Sequence, residues 1–215
     1  MLLKKTKILF DLDGTIIDSS QGIFASLNYA MKEMNRNPLD EKTLKSFIGP
    51  PLVESFAKTG MTEEEAKEAV DHYRTLYKKE GMYQVRPYAD IEEVLTQLAE
   101  RYELFLATSK PEFFAVKIIH HLGFAEFFEG IYGADLDGIR SEKRAVIHDT
   151  LKAEKVEELS TVVMIGDRAH DIVGAKENNI DNIGVLYGFG DKKELMNAGA
   201  QKIVAKPRDL LDIFQ

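Results

Sequence analysis

Short apolar runs alternate along the chain with longer amphipathic segments. The runs at 8–10, 104–107, 130–134, 162–165 and 183–186, with a weaker one at 202–204, are rich in Ile, Val, Leu or Phe. Each is bounded by Gly, Asp, Ser or Lys. A continuous apolar stretch of that length predicts a strand covered on both faces, as in a parallel sheet. Between the runs, 91–101, 112–122, 142–153, 169–178 and 192–197 repeat apolar positions at three- and four-residue steps, which predicts helices. Strand–helix–strand repetition needs right-handed crossovers, so the fold class is α/β with a doubly wound parallel sheet.

One region breaks the alternation. From about Ser19 to Met82 the pattern is helical throughout. Ser19 or Ser20 is placed to cap a helix running to about Met34, and Thr62-Glu63-Glu64-Glu65 reads as a capping box opening a helix to about Glu80. Pro38 and Gly49-Pro50-Pro51 punctuate shorter helices between them. The expectation is a helical lobe at 18–82, inserted into an α/β core made of 1–17 and 83–215. Two chain crossings then form a hinge.

Composition narrows the partners. Lys+Arg 28 against Asp+Glu 36 gives a net charge of −8, which argues against a general phosphate-neutralising surface for nucleic acid. A locally positive site for a small anionic substrate remains compatible with that balance. The absence of cysteine removes disulfides, thiolate zinc sites and cysteine nucleophiles together. No stretch approaches the eighteen or so apolar residues of a membrane span, and only a three-residue apolar run precedes Asp11, too short for a signal-peptide core. A cytoplasmic protein, monomeric or weakly homodimeric, without membrane or nucleic-acid partners, is expected.

The chemistry concentrates at the ends of the predicted strands, beyond which ligands sit in open parallel sheets. Phe10-Asp11-Leu12-Asp13-Gly14-Thr15 puts two carboxylates directly after the first strand. Ile165-Gly166-Asp167-Arg168-Ala169-His170-Asp171 puts Asp167 at another strand end and Asp171 four residues later, on the same helical face. Taken singly, the first is an Asp-Gly turn and the second a helix start with Asp167 as its cap. Four converging carboxylates would repel one another unless a hard divalent cation accepted them, and Mg²⁺ suits few carboxylates plus a substrate phosphate. Thr108 and Ser109 close the strand at 104–107 and offer a hydroxyl and main-chain donors to a phosphate. Lys143 opens a helix, where its charge opposes the macrodipole unless an anion faces it.

In order along the chain, Asp11-Leu12-Asp13-Gly14-Thr15, Thr108, Lys143 and Gly166-Asp167 through Asp171 resemble the four motifs of the haloacid dehalogenase superfamily. The insertion resembles that superfamily's type 1 cap, and Asp171-Ile172-Val173-Gly174-Ala175-Lys176 with Tyr187-Gly188-Phe189-Gly190 resembles its phosphoglycolate phosphatase-like branch. The resemblance implies a Rossmann-like core and a phosphatase acting on a small phosphate ester. It implies Asp11 as nucleophile and Asp13 as general acid and base. Leu12, Thr108, Ser109 and Lys143 would bind phosphate. Asp11, the Asp13 carbonyl and Asp167 would hold Mg²⁺, with Asp171 ordering a water behind it. A phosphoglycolate-like substrate leads, with 5′-nucleotidase, inorganic pyrophosphatase and sugar phosphomutase activities as alternatives. A phospho-aspartate receiver module would be shorter and would lack the insertion.

Within the lobe, Phe47-Ile48-Gly49-Pro50-Pro51 is either an inter-helix turn or a rigid break presenting main chain and an aromatic ring to a substrate. Tyr73 and Tyr77 stand one helical turn apart and either pack the lobe's own core or stack a nucleobase. Lys45, Arg74 or Lys78 would meet a substrate carboxylate.

Overall fold

The computed structural model describes residues 5–136 and 142–214. The first four residues, part of the stretch read above for a signal core, lie outside the described residues. In chain order, β1 (Lys7–Phe10) and the two-residue β2 (Ile17–Asp18) lead into α1 (Ser20–Glu33), α2 (Glu41–Ser46), α3 (Leu52–Ala57) and α4 (Glu63–Lys79). The chain continues through β3 (Arg86–Pro87), α5 (Ile91–Ala99), β4 (Glu103–Pro111), α6 (Glu112–His121), β5 (Gly130–Ala134) and α7 (Lys143–Ala153). It ends with β6 (Val162–Gly166), α8 (Ala169–Glu177), β7 (Asp181–Val185), α9 (Lys192–Ala198), β8 (Lys202–Val204) and α10 (Asp209–Ile213). Two compact units result: Met1–Ile17 with Pro87–Gln215, and Asp18–Arg86.

The first unit is built on one parallel sheet of order β5-β4-β1-β6-β7-β8. Renumbered by their order in the chain, these six strands run 3-2-1-4-5-6, the Rossmann order, whose direction of winding reverses beside the first strand. Ile8, Leu9 and Phe10 of β1, Leu104 to Ala107 of β4 and Val162 to Ile165 of β6 are all buried. Helices cover both faces of such strands, which explains their unbroken apolar text. On one face Leu9, Phe105 and Met164 pack with Val146, Ile147 and Leu151 of α7 and Ala175 of α8.

Several elements differ from the expectation for identifiable reasons. β4 runs on to Pro111 because its pairing with β5 shifts register after Thr108 and resumes at Pro111↔Ala134. β7 begins at Asp181 and Asn182, polar residues that an apolar search passes over. Their side-chain oxygens are met by distant residues, Asn182 Oδ1 accepting from the Gln201 N–H (2.9 Å) and Asp181 pairing with Lys5 (2.5 Å). The start of α1 is held by Asp18, whose Oδ1 accepts the Ser20 N–H (2.9 Å); the Ser19 hydroxyl makes no cap bond. β2, β3 and α10 are too short to leave a periodic signal.

The second unit is helical. At the head of α4 the Thr62 hydroxyl accepts the Glu65 N–H (3.2 Å), and the Glu65 carboxylate accepts the Thr62 N–H (2.8 Å). This is the expected capping box. The apolar stripe of α4, Ala66, Ala69, Val70, Tyr73 and Tyr77, is buried. The two tyrosine rings stack at 5.1 Å and 17°, so they pack as a pair rather than standing open to stack a base. The Phe47 ring is likewise buried, edge-on to Phe56 at 4.9 Å, which corrects the idea of an aromatic presented to substrate. Gly49 has φ +107°, a turn that favours glycine. Lys45 is exposed and paired with Glu41 (2.7 Å), and Arg74 is half-buried. Among the described residues, no helix is long and apolar enough to cross a membrane.

Candidate active site

The site gathers where β1, β4 and β6 end. Asp11 continues the β1 ladder by one residue, its N–H donating to the Ile165 carbonyl of β6 (2.9 Å). The chain then turns, with the Leu12 carbonyl accepting the N–H groups of Ile16 (2.9 Å) and Ile17 (3.1 Å). Leu12 buries its side chain completely, so anything it offers a ligand comes from its main chain.

Lys143, the first residue of α7, ties three elements to this turn. Its Nζ donates to Asp11 Oδ1 (2.6 Å) and the Ala107 carbonyl of β4 (2.9 Å), and lies 2.9 Å from Asp171 Oδ1. Two of the ammonium's three donors are committed to Asp11 and Ala107, and the charge forms an ion pair with Asp171. Lys143 was expected on phosphoryl oxygens; in the structure it lies on the carboxylates. Burial works against its charge, but Asp11 and Asp171 outweigh burial and hold its pKa above the ordinary lysine value. Burial likewise opposes the charge of Asp171, yet Lys143 brings its carboxyl below the usual range. At Asp11 burial prevails over Lys143, and the carboxyl is pushed up. The two carboxylates also offset the unfavourable position of a lysine at a helix N-terminus.

Asp167, at the end of β6, has no such partner. Its Oδ2 accepts the Phe189 N–H (2.7 Å), while Oδ1 is buried without a hydrogen bond among the described residues. Burial, with Asp171 and Asp11 nearby, pushes its carboxyl well above the usual range. Two glycines pack against its Oδ2: a Cβ at Gly14, where φ is +83°, would lie 2.2 Å from Asp167 Oδ2, and one at Gly188 would lie 2.5 Å from it. Asp167 does not cap α8, contrary to the simpler reading. The first turn is closed by Asp171 Oδ2, which accepts the Arg168 N–H (3.0 Å), and by Glu194, which accepts the Ala169 N–H (2.8 Å).

A buried carboxylate oxygen with no hydrogen-bond donor is expensive, and a hard cation that takes oxygen ligands would relieve it. Asp11, His170 and Asp171 also bring one ligand atom each within 4.8 Å of the others. The donor set therefore fits a metal ion. Burial lowers the pKa of the His170 imidazole, which favours the neutral form that can ligate a metal ion.

Thr108 is buried at the bulge of β4, its hydroxyl accepting the Lys110 N–H (3.2 Å). Lys110 Nζ lies 2.8 Å from Asp13 Oδ2. The structure thus brings Asp11, Lys143 and Asp171 into direct contact, and joins Thr108 to Asp13 through Lys110. Lys110, His170, Gly188 and the Phe189 amide escaped the sequence reading. His170, Gly188 and Phe189 stood inside quoted motifs without an assignment, Lys110 directly follows Ser109, and an amide donor has no side-chain signature.

Residues 8–185 match the family model described as haloacid dehalogenase-like hydrolase. A 5′-nucleotidase of Pseudomonas aeruginosa is 43% identical over 195 residues, covering 90% of this chain and 88% of the relative. A phosphoglycolate phosphatase of Colwellia psychrerythraea is 30% identical over 210 residues, covering 93% and 92%. The crystal structure of a predicted phosphatase from Clostridium acetobutylicum superposes with a TM-score of 0.92 at 39% identity, covering 97% of both chains. Ordered motifs, strand order and these likenesses converge, and the chain belongs to the haloacid dehalogenase-like hydrolases, in their phosphoglycolate phosphatase-like branch.

Proposed function

We propose that this enzyme, a phosphatase of its family, hydrolyses a small organic phosphate monoester through an aspartyl-phosphate on Asp11. The observation that carries the reading is the buried Asp11 carboxylate, held by Lys143 at 2.6 Å beyond the middle of the sheet. An Asp11 oxygen attacks phosphorus, the bond to the ester oxygen breaks, and Asp13 gives that oxygen a proton. Asp13 then takes a proton from water, which attacks the phosphorus of the aspartyl-phosphate and releases phosphate, regenerating Asp11. The Thr108 hydroxyl, Ser109 and the Leu12 main chain hold the phosphoryl oxygens, and the Lys143 ammonium beside Asp11 supplies positive charge to them. Positive charge there matters because phosphoryl transfer is catalysed chiefly by positioning and electrostatics.

Asp11, the Asp13 carbonyl and Asp167 would hold Mg²⁺, with Asp171 supporting from behind. Bound there, Mg²⁺ supplies charge neutralisation between a carboxylate and a phosphate dianion. The unpartnered Asp167 Oδ1 supports this assignment. Exhaustive chelation should abolish activity, with Mg²⁺ or Mn²⁺ restoring it and Ca²⁺, whose coordination is looser and higher, failing to do so. Full activity after chelation would overturn the metal's role.

Substrates of the phosphoglycolate type are the first reading. 5′-Nucleotides are the second, favoured by the nucleotidase relative at 43% identity. A panel of phosphate monoesters with Mg²⁺, ranked by kcat/KM, decides between them. Asp13→Asn should lower kcat on such alkyl esters by the ~10²–10⁴ of general acid–base catalysis, and by less on p-nitrophenyl phosphate, whose leaving group needs little protonation. Equal losses on both would take the acid role from Asp13.

A further inference from the structure

We propose that Lys110 is the positioning residue for Asp13, holding one carboxylate oxygen so that the other addresses the leaving group. The inference rests on the acid–base role of Asp13 given above.

The fold builds Lys110 into place. β4 pairs with β5 in register through Thr108↔Gly133 and next at Pro111↔Ala134, so the ladder shifts register across Ser109 and Lys110. Such a bulge re-aims the side chains it carries. The Thr108 hydroxyl takes the Lys110 N–H at 3.2 Å, and a Cβ at Gly133 would come within 2.7 Å of the Lys110 carbonyl. The Lys110 main chain is thus fixed from two sides. Its Nζ reaches Asp13 Oδ2 at 2.8 Å, with the two side chains only 6% and 13% exposed.

At Asp13 the two oxygens are treated differently. Oδ2 is engaged by Lys110, while Oδ1 is buried with no hydrogen-bond partner among the described residues. A carboxylate held at one oxygen cannot swing about its side-chain torsions, and the open oxygen is the one left for the ester oxygen and then for water. Lys143 is held elsewhere, hydrogen-bonded to Asp11 and Ala107 and ion-paired with Asp171. Reacting groups misplaced by about 1 Å lose ~10² in rate, which sets the size of the effect.

The test uses steady-state kinetics at saturating Mg²⁺ for wild type, Lys110→Met, Lys110→Arg and Asp13→Asn. The substrates are the better of phosphoglycolate and AMP, both with alkyl leaving oxygens, and p-nitrophenyl phosphate. Lys110→Met should lower kcat about 10²-fold on the alkyl ester, under about tenfold on p-nitrophenyl phosphate, and move KM by less than about threefold. Lys110→Arg, which keeps cationic donors, should recover most of the loss. A rise in KM with kcat kept, or equal losses on the two substrates, would make Lys110 a phosphate ligand and overturn the inference; so would failure of the arginine. If Asp13→Asn shows the leaving-group bias and Lys110→Met does not, only the role of Lys110 falls. If Asp13→Asn shows none, the acid–base reading falls with it. Should Lys110→Met unfold, Lys110→Gln, which keeps a donor, should show the same bias at smaller size.

Discussion

Asp11→Asn should bring turnover of every phosphate monoester below detection while leaving the fold nearly as stable as before. The amide has the shape of the carboxylate but no nucleophilic oxygen, so no aspartyl-phosphate forms. Removing a nucleophile that works with its neighbours as a unit costs at least about 10⁴ in kcat. The small effect on stability follows from the charges. Burial already pushes the Asp11 carboxyl up, so ionised Asp11 is not a comfortable group in the fold. Lys143 meanwhile keeps Asp171 at 2.9 Å and a hydrogen bond to Ala107, and the new amide oxygen can still accept from it. Rapid-quench labelling with a radioactive substrate should show an acid-stable phosphoprotein in the wild type and none in the variant. A variant retaining about a hundredth of wild-type kcat would take the nucleophile role from Asp11.

The fold was legible where a single local rule decides it. β1, β4 and β6 are covered on both faces and read as unbroken apolar text, and the capping box at Thr62 and Glu65 lies within four residues of chain. Legibility failed where a distant partner makes a polar residue acceptable. Asp181 and Asn182 can open β7 because Lys5 and Gln201 meet them, and neither partner is near in sequence. The bulge in β4 leaves no periodic trace either, since it depends on how β5 arrives beside it.

The site divides along the same line. Asp11 with Asp13, and Asp167 with Asp171, stood out because each pair is close in the chain and follows a strand. What neutralises them did not stand out. The sequence reading gave that task wholly to a cation, whereas Lys143, 132 residues from Asp11, pairs with two of the carboxylates and Lys110 pairs with a third. Among the described residues Asp167 alone of the four pairs with no lysine, and it is the carboxylate where a metal ion is most needed. In the helical unit, apolar spacing could not choose between a packed and an exposed tyrosine pair, because both put the rings on one face; burial decides it.

Lys143→Met should be the most destabilising single change in the site, by about 3–5 kcal/mol, the usual consequence of stripping a buried ion pair of one partner. Methionine fills the volume of the aliphatic stem, so packing against α8 is largely kept and the loss is electrostatic. Asp11 and Asp171 would then face each other with no cation, and the Ala107 carbonyl would lose a donor. Urea unfolding with a chelator present, so that no metal ion replaces the ammonium, should show a lower midpoint with an unchanged slope. Adding Asp11→Asn to that background removes one of two uncompensated carboxylates. It should raise stability by about 1–2 kcal/mol there although it is nearly neutral alone, since contacting groups are not additive. If Lys143→Met unfolds at the wild-type midpoint, or if Asp11→Asn has the same effect in both backgrounds, the three side chains are not one electrostatic unit. The contacts at 2.6 and 2.9 Å would then be proximity without coupling.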